Sequence, residues 1–282
     1  MEKFVKRLDN AKKAIDDVDY ILIGAGAGFS AAAGMDYGGQ RFEDNFKDFI
    51  DKYGLQDMYS ATFYPYETSE EKWAYFARHI YLNRYAEGKT KIHEQLLDIV
   101  RDKDYFIITT NVDHQFWING FDSDRIFATQ GDYGLLQCSE ACHDKLYSNE
   151  LLIYDMLNNT EDCRIPSQLV PKCPVCGKEM EVNLRKDNFF VQDSEWYKMN
   201  KRYSSYLDKI DGKKVVFMEL GVGFNTPTII RFPFERMTYN NPNATLIRLN
   251  RSHSQPLDEN IDKTISFDED IGKIFDYWLS RI

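Results

Sequence analysis

The sequence predicts an α/β fold in which a Rossmann-like parallel sheet carries a helical insert and a small cysteine-bearing module. Three observations predict it. Short apolar segments typical of buried strands alternate with amphipathic helical segments. The first predicted strand runs into a glycine-rich turn. All five cysteines lie in one polar stretch, residues 137–184, which interrupts the alternation.

The first half of the chain begins with an amphipathic helix, predicted over residues 1–16 because apolar side chains recur at three- and four-residue spacing. A buried strand at 19–24 then runs into the glycine turn and an alanine-rich helix start. Residues 42–86 are aromatic and polar and carry no clean strand signal, so helices and loops are predicted there. A helix at 91–100 and a buried strand at 105–110 follow.

The second half adds a short strand, predicted at residues 125–129, and buried strands at 213–220 and 244–250. An amphipathic helix is predicted to close the chain at 268–282. Strands that are separated by helices indicate a parallel sheet, because a parallel pair needs a crossover connection.

The composition is that of an ordinary globular chain. Of its 282 residues, 43% are hydrophobic and 28% are charged, which excludes a disordered chain, a collagen-like repeat and a coiled coil. No apolar run approaches the ~20 residues that cross a bilayer. The charged first twenty residues lack the unbroken apolar segment of a signal peptide, so a cytoplasmic location is expected.

The net charge of −10 argues against two classes of partner. Non-specific nucleic-acid binding rests on Lys and Arg contacts to phosphate. Binding to an anionic membrane surface rests on a polybasic cluster, and the sequence has none. Small molecules and other proteins are therefore the expected partners.

Four of the five cysteines have the spacing of metal ligands. Cys138 and Cys142 form a C-x3-C pair, and Cys173 and Cys176 form a C-x2-C pair followed by glycine. Four thiolates suit a closed, tetrahedral, structural zinc site. Cys163 lies between the pairs and is predicted to be a bystander. The alternative is that the four thiols pack together without a metal.

The turn after the first strand carries glycines at positions that suit a phosphate-binding loop. Gly26 and Gly28 would let the backbone approach a pyrophosphate at the start of a helix. The spacing is not a clean G-x-G-x-x-G, and a glycine-rich strand-to-helix connection is also simply a tight turn. From this motif alone both interpretations stay open.

Polar residues follow two more of the predicted strands. Asn111 and Asp113 come after the strand at 105–110, at the end of the sheet where α/β proteins bind ligands. Asn supplies both a donor and an acceptor, and Asp supplies a carboxylate. Gln130 follows the short third strand and cannot accept a proton at neutral pH. The alternative is an Asx turn at the first place and a plain turn at the second.

Taken in order, these motifs resemble the sirtuin family over residues 20–282. The segment 26–34 is similar to the family's GAG-I-S…G loop, and Thr109–Asp113 is similar to its TQNID motif. Gln130-Gly131 stands where the family has its catalytic His-Gly, and the four-cysteine site follows. Leu220–Gly223 stands where the family has GTS.

The resemblance implies that NAD binds in a cleft between the Rossmann-like part and the zinc-binding module. It implies one catalytic domain over 1–282, with three parts. These are a Rossmann-like part (1–36, 90–136 and 185–282), a helical insert (37–89) and a zinc-binding module (137–184). The implied NAD-binding residues are Gly26, Ala27, Gly28, Ser30, Gly34, Arg41, Phe42, Thr110, Gly221, Val222, Gly223, Asn250 and Arg251.

The chain departs from the common sirtuin pattern at three places. Gln130 replaces the catalytic histidine, Arg41-Phe42 lies on a longer loop after Gly34, and Val191-Gln192-Asp193 stands near the missing acyl-lysine clamp. These departures resemble the class M sirtuins, which are associated with macrodomain proteins. That resemblance implies protein ADP-ribosylation, with a lipoylated carrier similar to the glycine-cleavage H protein as acceptor and a macrodomain ADP-ribosyl hydrolase as partner.

The residue chemistry agrees with transfer. Asp113 can stabilise positive charge that develops on the ribose when the nicotinamide bond breaks, and Asn111 can orient the substrate. Deacylation needs a base that Gln130 cannot supply, and losing a general base lowers rates by ~10²–10⁴-fold. Three alternatives stay open: a deacylase that uses His114 or another base, an NAD glycohydrolase, and a catalytically silent NAD-binding module.

Overall fold

The large part of the protein is a six-stranded parallel sheet with helices on both faces. The computed structural model describes residues 2–281, so Met1 and Ile282, the outer ends of two predicted helices, lie outside the described residues. The strand order is β3-β2-β1-β7-β8-β9. Its strands are β1 (Tyr20–Ala25), β2 (Asp104–Thr109), β3 (Ile126–Ala128), β7 (Val215–Leu220), β8 (Ala244–Leu249) and β9 (Thr264–Phe267).

Helices cover the two faces of this sheet and form two apolar layers. One face carries α1 (Glu2–Asp16), α2 (Ala27–Ala32), α6 (Lys91–Val100), α7 (Gln115–Ile118) and α11 (Ile271–Leu279). The other carries α9 (Ser194–Ile210) and α10 (Arg231–Asn240). The central strands are buried along nearly their whole length, as expected of a parallel sheet covered on both faces.

The α/β fold and its parallel sheet are therefore confirmed, and the predicted strands and helices are found with ends shifted by a few residues. Three helices of this part, α7, α9 and α10, and the edge strand β9 were not predicted. The edge strand is short and half-buried, which explains why its apolar pattern is weak.

The smaller part of the protein is a three-stranded antiparallel sheet that packs on the helical insert. Its order is β5-β4-β6, with β4 (Gly131–Cys138), β5 (Tyr147–Ser148) and β6 (Met180–Leu184). Helix α8 (Glu150–Asn158) belongs to the same part. The insert contains α3 (Gly39–Tyr53), α4 (Met58–Ala61), α5 (Ser69–Ile80) and a π-helix (Tyr81–Tyr85).

The insert and the small sheet share one hydrophobic core. Phe42, Phe46 and Trp73 of the insert pack in the same cluster as Tyr133 and Met180 of the sheet. We call these two segments together the small lobe. Its first strand begins at Gly131, immediately after Gln130, so the small lobe starts at the edge of the candidate site.

Three short 3₁₀ turns complete the described secondary structure: Ser123–Arg125, Ser167–Leu169 and Asp258–Lys263. No helix among residues 2–281 is both long enough and apolar enough to cross a bilayer.

Candidate active site

The glycine loop after β1 packs directly on the loop after β7. The backbone N–H of Gly28 donates to the carbonyl of Gly221 (3.0 Å). A Cβ on Gly221, whose φ is +59°, would lie 2.3 Å from the carbonyl carbon of Gly28, and one on Gly26 would lie 2.8 Å from the Gly221 oxygen. Only glycine fits this contact, which holds the carboxyl ends of β1 and β7 together.

Asn111 and Asp113 meet on one hydroxyl group. The Asn111 amide donates to Ser30 Oγ (2.9 Å) and to the Gly26 carbonyl (3.1 Å). Ser30 Oγ in turn donates to Asp113 Oδ2 (2.5 Å). All three side chains are buried. The structure thus brings together residues that lie more than eighty positions apart and that the sequence assigned to one site.

Asp113 is a buried carboxylate without an ion-pair partner among the described residues. Its other oxygen, Oδ1, accepts from the backbone N–H of Gln115 (3.0 Å). Burial raises the pKa of Asp113, and the Ser30 hydroxyl opposes that rise. An ionised Asp113 is therefore costly in the folded protein until a positive charge comes near it.

Gln130 presents an unsatisfied acceptor. Its side-chain oxygen, Oε1, is buried and has no hydrogen-bond partner within the described part of the chain. Its backbone carbonyl is held by the N–H of Arg185 (3.0 Å). Gly131, which follows it, has φ +101°, and a Cβ there would lie 1.8 Å from the Asn183 oxygen. The backbone at Gln130 is thus fixed on both sides.

The loops after β7 and β8 are joined by a side chain. The Asn250 amide donates to the carbonyl of Val222 (2.7 Å), and its oxygen accepts from the backbone N–H of His253 (2.9 Å). Val222 and Asn250 are buried, Gly223 is exposed, and Arg251 lies on the surface in a long ion pair with Asp270 (3.6 Å).

The remaining predicted NAD-binding residues fall into two groups. Ala27 and Gly34 lie at the two ends of α2, and the backbone N–H of Thr110 donates to the Ala25 carbonyl (3.1 Å), so these three border the glycine loop. Arg41 and Phe42 lie in the small lobe. The Arg41 guanidinium donates to Asn83 Oδ1 (2.9 Å) and the Leu82 carbonyl (2.8 Å), and Phe42 is buried against Phe46, so neither side chain is free.

The four predicted metal ligands form one cluster. Their sulfur atoms all lie within 4.8 Å of one another, with Cys138 and Cys176 3.6 Å apart and Cys142 and Cys173 3.7 Å apart. A tetrahedral zinc with Zn–S bonds of about 2.3 Å implies S···S distances of about 3.8 Å. The geometry fits structural zinc, and Cys163 is not part of the four-sulfur cluster.

The chemistry of the cysteine cluster also suits zinc. The backbone N–H of Cys176 lowers the pKa of the Cys173 thiol to about 6, whereas burial and the neighbouring thiols raise the pKa of Cys142. Zinc would favour the thiolate form of all four, because thiolates are the form that binds the metal. His143 Nε2 lies 3.4 Å from the Cys173 sulfur. This places it beside the cluster rather than within it.

A buried charge network was missed by sequence reasoning. Glu219 accepts from Arg248 Nε (2.9 Å) and from Arg231 Nη1 (3.0 Å), and Arg248 also pairs with Glu235 (2.7 Å). Arg231 Nη2 donates to the carbonyl of His253 (2.8 Å), which fixes the loop after β8. The available signal was a charged residue inside each of two apolar strands.

A parallel sheet with a glycine loop and buried polar side chains at its carboxyl edge is the architecture of the Rossmann-like nucleotide-binding enzymes. The chain is 38% identical over 275 residues to the protein ADP-ribosyltransferase of Staphylococcus aureus, covering 97% of this chain and 87% of that protein. It belongs to the sirtuin family, whose fold is that of NAD-dependent enzymes. The family expected from the sequence is confirmed.

Other comparisons agree with this assignment. The chain is 32% identical over 240 residues to a probable bifunctional ADP-ribose hydrolase/ADP-ribosyltransferase of Fusarium oxysporum, which covers 81% of this chain and 39% of that longer protein. No family model matches the chain.

Two solved structures share the fold at low sequence identity. A Sir2 homologue in complex with NAD aligns with a TM-score of 0.59 and 16% identity, over 97% of this chain and 93% of that one. Sir2Tm bound to a propionylated peptide aligns with a TM-score of 0.61 and 15% identity, over 97% and 98%.

Proposed function

We propose that this chain is an NAD-dependent protein ADP-ribosyltransferase. It cleaves the bond between nicotinamide and ribose and transfers ADP-ribose to a protein acceptor. The observation that carries the proposal is that the site holds a buried carboxylate, Asp113, without an ion-pair partner among the described residues, and an unsatisfied amide oxygen at Gln130. The name of the Staphylococcus aureus relative supports the same activity.

The residues at the sheet edge suit NAD as the substrate. The glycine loop leaves backbone close to the cleft, and its neighbours Ala27, Ser30, Gly34 and Thr110 border the same space. We assign Gly221, Val222 and Gly223 to the same site, with Asn250 as the residue that holds their loop. Bound NAD supplies a glycosidic bond whose breaking places positive charge on the ribose.

Asp113 is the residue that stabilises this positive charge. Its carboxylate is already desolvated and held by Ser30, so it need not reorganise as positive charge develops beside it. Asn111 is fixed by Gly26 and Ser30, and its side-chain oxygen is the group we assign to orienting the substrate.

Gln130 holds the ribose without taking its proton. A ribose hydroxyl can donate to the unsatisfied Oε1, which would complete a buried acceptor that otherwise lacks a partner. An amide has no proton-accepting form at neutral pH, so this contact positions the sugar and supplies no base. Transfer keeps the positioning, whereas deacylation also needs the base.

Arg41, Phe42 and Arg251 are assigned indirect roles in NAD binding. Arg41 and Phe42 are engaged inside the small lobe. We propose that they act on NAD through the shape of that lobe, and that Arg251 acts from the rim of the cleft.

We further propose a lipoylated carrier protein as the acceptor and an ADP-ribosyl hydrolase as the partner that reverses the modification. The Fusarium relative, named for both a hydrolase and a transferase, supports the second point. We also propose a cytoplasmic location. The sulfur atoms of the four-cysteine cluster lie at metal-ligand rather than disulfide distances, which is typical of proteins in a reducing compartment.

The experiment is transfer of labelled ADP-ribose from NAD to a lipoylated carrier protein, with the unlipoylated carrier as the matched acceptor. Labelling of the lipoylated carrier alone is expected. A chain that releases no nicotinamide with either carrier contradicts the transferase activity. Equal labelling of both carriers contradicts only the choice of acceptor.

A further inference from the structure

A polar cavity of about 200 Å³ opens where the loop after β2 meets the small lobe. Its ionisable and hydroxyl groups come from five segments of the chain: Arg84 and Tyr85, His114, Asp132, Ser148 and Glu150. Two residues that line this cavity are close in sequence to residues of the candidate active site. His114 follows Asp113 directly, and Asp132 lies two residues after Gln130.

His114 is held in one orientation. Its Nδ1 is hydrogen-bonded to Asp132 Oδ2, and its ring stacks on Trp117 with centroids 4.4 Å apart. Pairing at Nδ1 leaves Nε2 as the free nitrogen of the ring. The backbone of His114 has φ +65°, a left-handed conformation that is uncommon outside glycine and that clusters at functional sites.

Asp132 is held as firmly as the ring that it orients. Its Oδ1 accepts from Arg84 Nε (3.1 Å) and from the backbone N–H of Gly134 (2.7 Å). Burial alone would raise the pKa of Asp132, but His114 and Arg84 outweigh it and lower that pKa, so the carboxylate stays charged. A charged carboxylate on one imidazole nitrogen is the arrangement that prepares the other nitrogen to accept a proton.

Arg84, which contacts the His114–Asp132 pair, lies in a π-helix, Tyr81–Tyr85. π-Helices are rare in proteins, and those that occur often lie at functional sites. A Cβ on Gly134 would lie 3.0 Å from Arg84 Nε and 3.0 Å from Asp132 Oδ1. Because Gly134 has no side chain, Arg84 and Asp132 have room to pair beside it. Three unusual local features thus surround His114: its own left-handed backbone, the π-helix that carries Arg84, and the close approach of two side chains to Gly134.

We propose that His114, oriented by Asp132, accepts the proton of the nucleophile that captures the ribose. The bond between ribose C1′ and the nicotinamide nitrogen breaks, with its electron pair going to that nitrogen. A bond forms between C1′ and the nucleophilic atom of the acceptor, whose proton passes to Nε2 of His114. This inference rests on the proposed function and identifies the base that takes the proton from the acceptor.

The charges around His114 define the class of acceptor. Asp132 and Glu150 line this cavity with negative charge, and Arg84 is committed to Asp132. A bound anion is disfavoured there, because like charges at close range repel, so a small anion such as azide must be supplied at high concentration to capture the ribose. The acceptor group therefore arrives with its proton: a hydroxyl, a thiol, or a carboxyl group that these charges keep protonated.

The test compares nucleophiles that need a base with one that does not. Water and methanol must lose a proton when they attack C1′, whereas azide has none to lose. In His114→Gln, capture by water and methanol is expected to fall by ~10²–10⁴-fold. Capture by azide is expected to stay within a few-fold of the wild type. Azide capture also proves that the variant is folded and binds NAD.

Matched variants separate the base from a merely structural pair. Asp132→Asn is expected to lower methanol capture less than His114→Gln does and to leave azide capture intact. Asp48→Asn, which alters an ion pair with Arg78 inside the insert, is expected to change neither. Equal losses with methanol and azide in His114→Gln, or unchanged methanol capture, overturn the inference.

Failure of the proposed function has a different signature. A wild-type protein that releases no nicotinamide with azide, methanol or water contradicts the transferase activity and, with it, the role of His114. A wild type that reacts, beside a His114→Gln variant without nucleophile selectivity, contradicts the role of His114 alone.

Discussion

Two buried acidic side chains of the large sheet are held in opposite ways. Glu219, in β7, lies between the guanidinium groups of Arg231 and Arg248. Asp113, beyond the end of β2, has only the Ser30 hydroxyl and a backbone N–H, and it forms no ion pair with any described residue. Both are buried, but only the first carries its own counter-charge.

The difference indicates which group is structural and which is functional. A fully paired buried network contributes to the shape of a fold, and its charges are compensated before any ligand arrives. An unpaired buried carboxylate destabilises the free protein, and its charge is compensated only when a substrate brings positive charge near it. The Glu219 network fixes the loop after β8, and Asp113 is the group that we propose to stabilise charge on the ribose.

Breaking the paired network should give the largest effect on stability. Glu219→Gln leaves Arg231 and Arg248 with too little negative charge, and removal of one partner from a buried pair costs about 3–5 kcal/mol. The expected result is that loss in the free energy of unfolding, measured in urea. Transfer per folded molecule should stay within a few-fold of the wild type.

Glu195→Gln is the control, because that residue forms an exposed pair with Lys198 that solvent screens. If Glu219→Gln were no more destabilising than this control, the network would not be the structural element described.

Asp113→Asn should show the reverse pattern. Removing the carboxylate takes away the charge that stabilises the transition state, and loss of one such preorganised group costs ~10²–10³-fold in rate. The free energy of unfolding is expected to stay the same or rise, because a buried charge is gone. Nicotinamide release and urea unfolding measure the two effects. A destabilised Asp113→Asn that keeps its activity would place Asp113 with Glu219 among the structural groups.

The pH dependence should separate the two effects of Asp113. Burial raises its pKa, so kcat/KM for NAD should fall with decreasing pH at a higher pH than an ordinary Asp would give, as the carboxylate is protonated. Stability should move the other way. A raised folded-state pKa means that this group's contribution declines as pH rises from its unfolded pKa through its folded pKa.

The stability comparison uses the difference between wild type and Asp113→Asn, which removes the contribution of other carboxylates. An acid limb of kcat/KM that persists unchanged in Asp113→Asn would show that a different group controls it.

Gln130→Ala should have the smallest effect. The variant removes one hydrogen bond to the ribose and leaves Asp113 in place, so transfer should fall by about fivefold, as expected for a neutral hydrogen bond worth about 1 kcal/mol. Gln40→Ala, an exposed glutamine paired with Asp44, is the control. A loss as large as that of Asp113→Asn would mean that Gln130 takes part in the chemistry.

The sequence was most informative where function is local to a strand end. Asn111 and Asp113 could be assigned together with the glycine loop, because the carboxyl ends of parallel strands meet at one edge. The cysteine cluster followed from spacing alone.

Contacts between distant segments could not be read in the same way. The core shared by the insert and the small sheet, and the engagement of Arg41 with Asn83, depend on packing that no local pattern encodes. The pairing of Glu219 with Arg248 depends on the register between β7 and β8. Helix α9, by contrast, carried a readable signal, with apolar residues at positions 196, 199, 203, 206 and 210.

The central claim is that Gln130 leaves this site able to transfer ADP-ribose and unable to deacylate lysine. The most direct measurement is deacetylation of an acetyl-lysine peptide by the wild-type and Gln130→His proteins, with NAD saturating, beside ADP-ribosyl transfer by the same preparations. The expected result is transfer by the wild type and no appreciable deacetylation by either protein, because the acyl-lysine clamp is missing as well as the base. Robust deacetylation by the wild type would contradict the account, since His114 or another base would then be performing the step that Gln130 cannot.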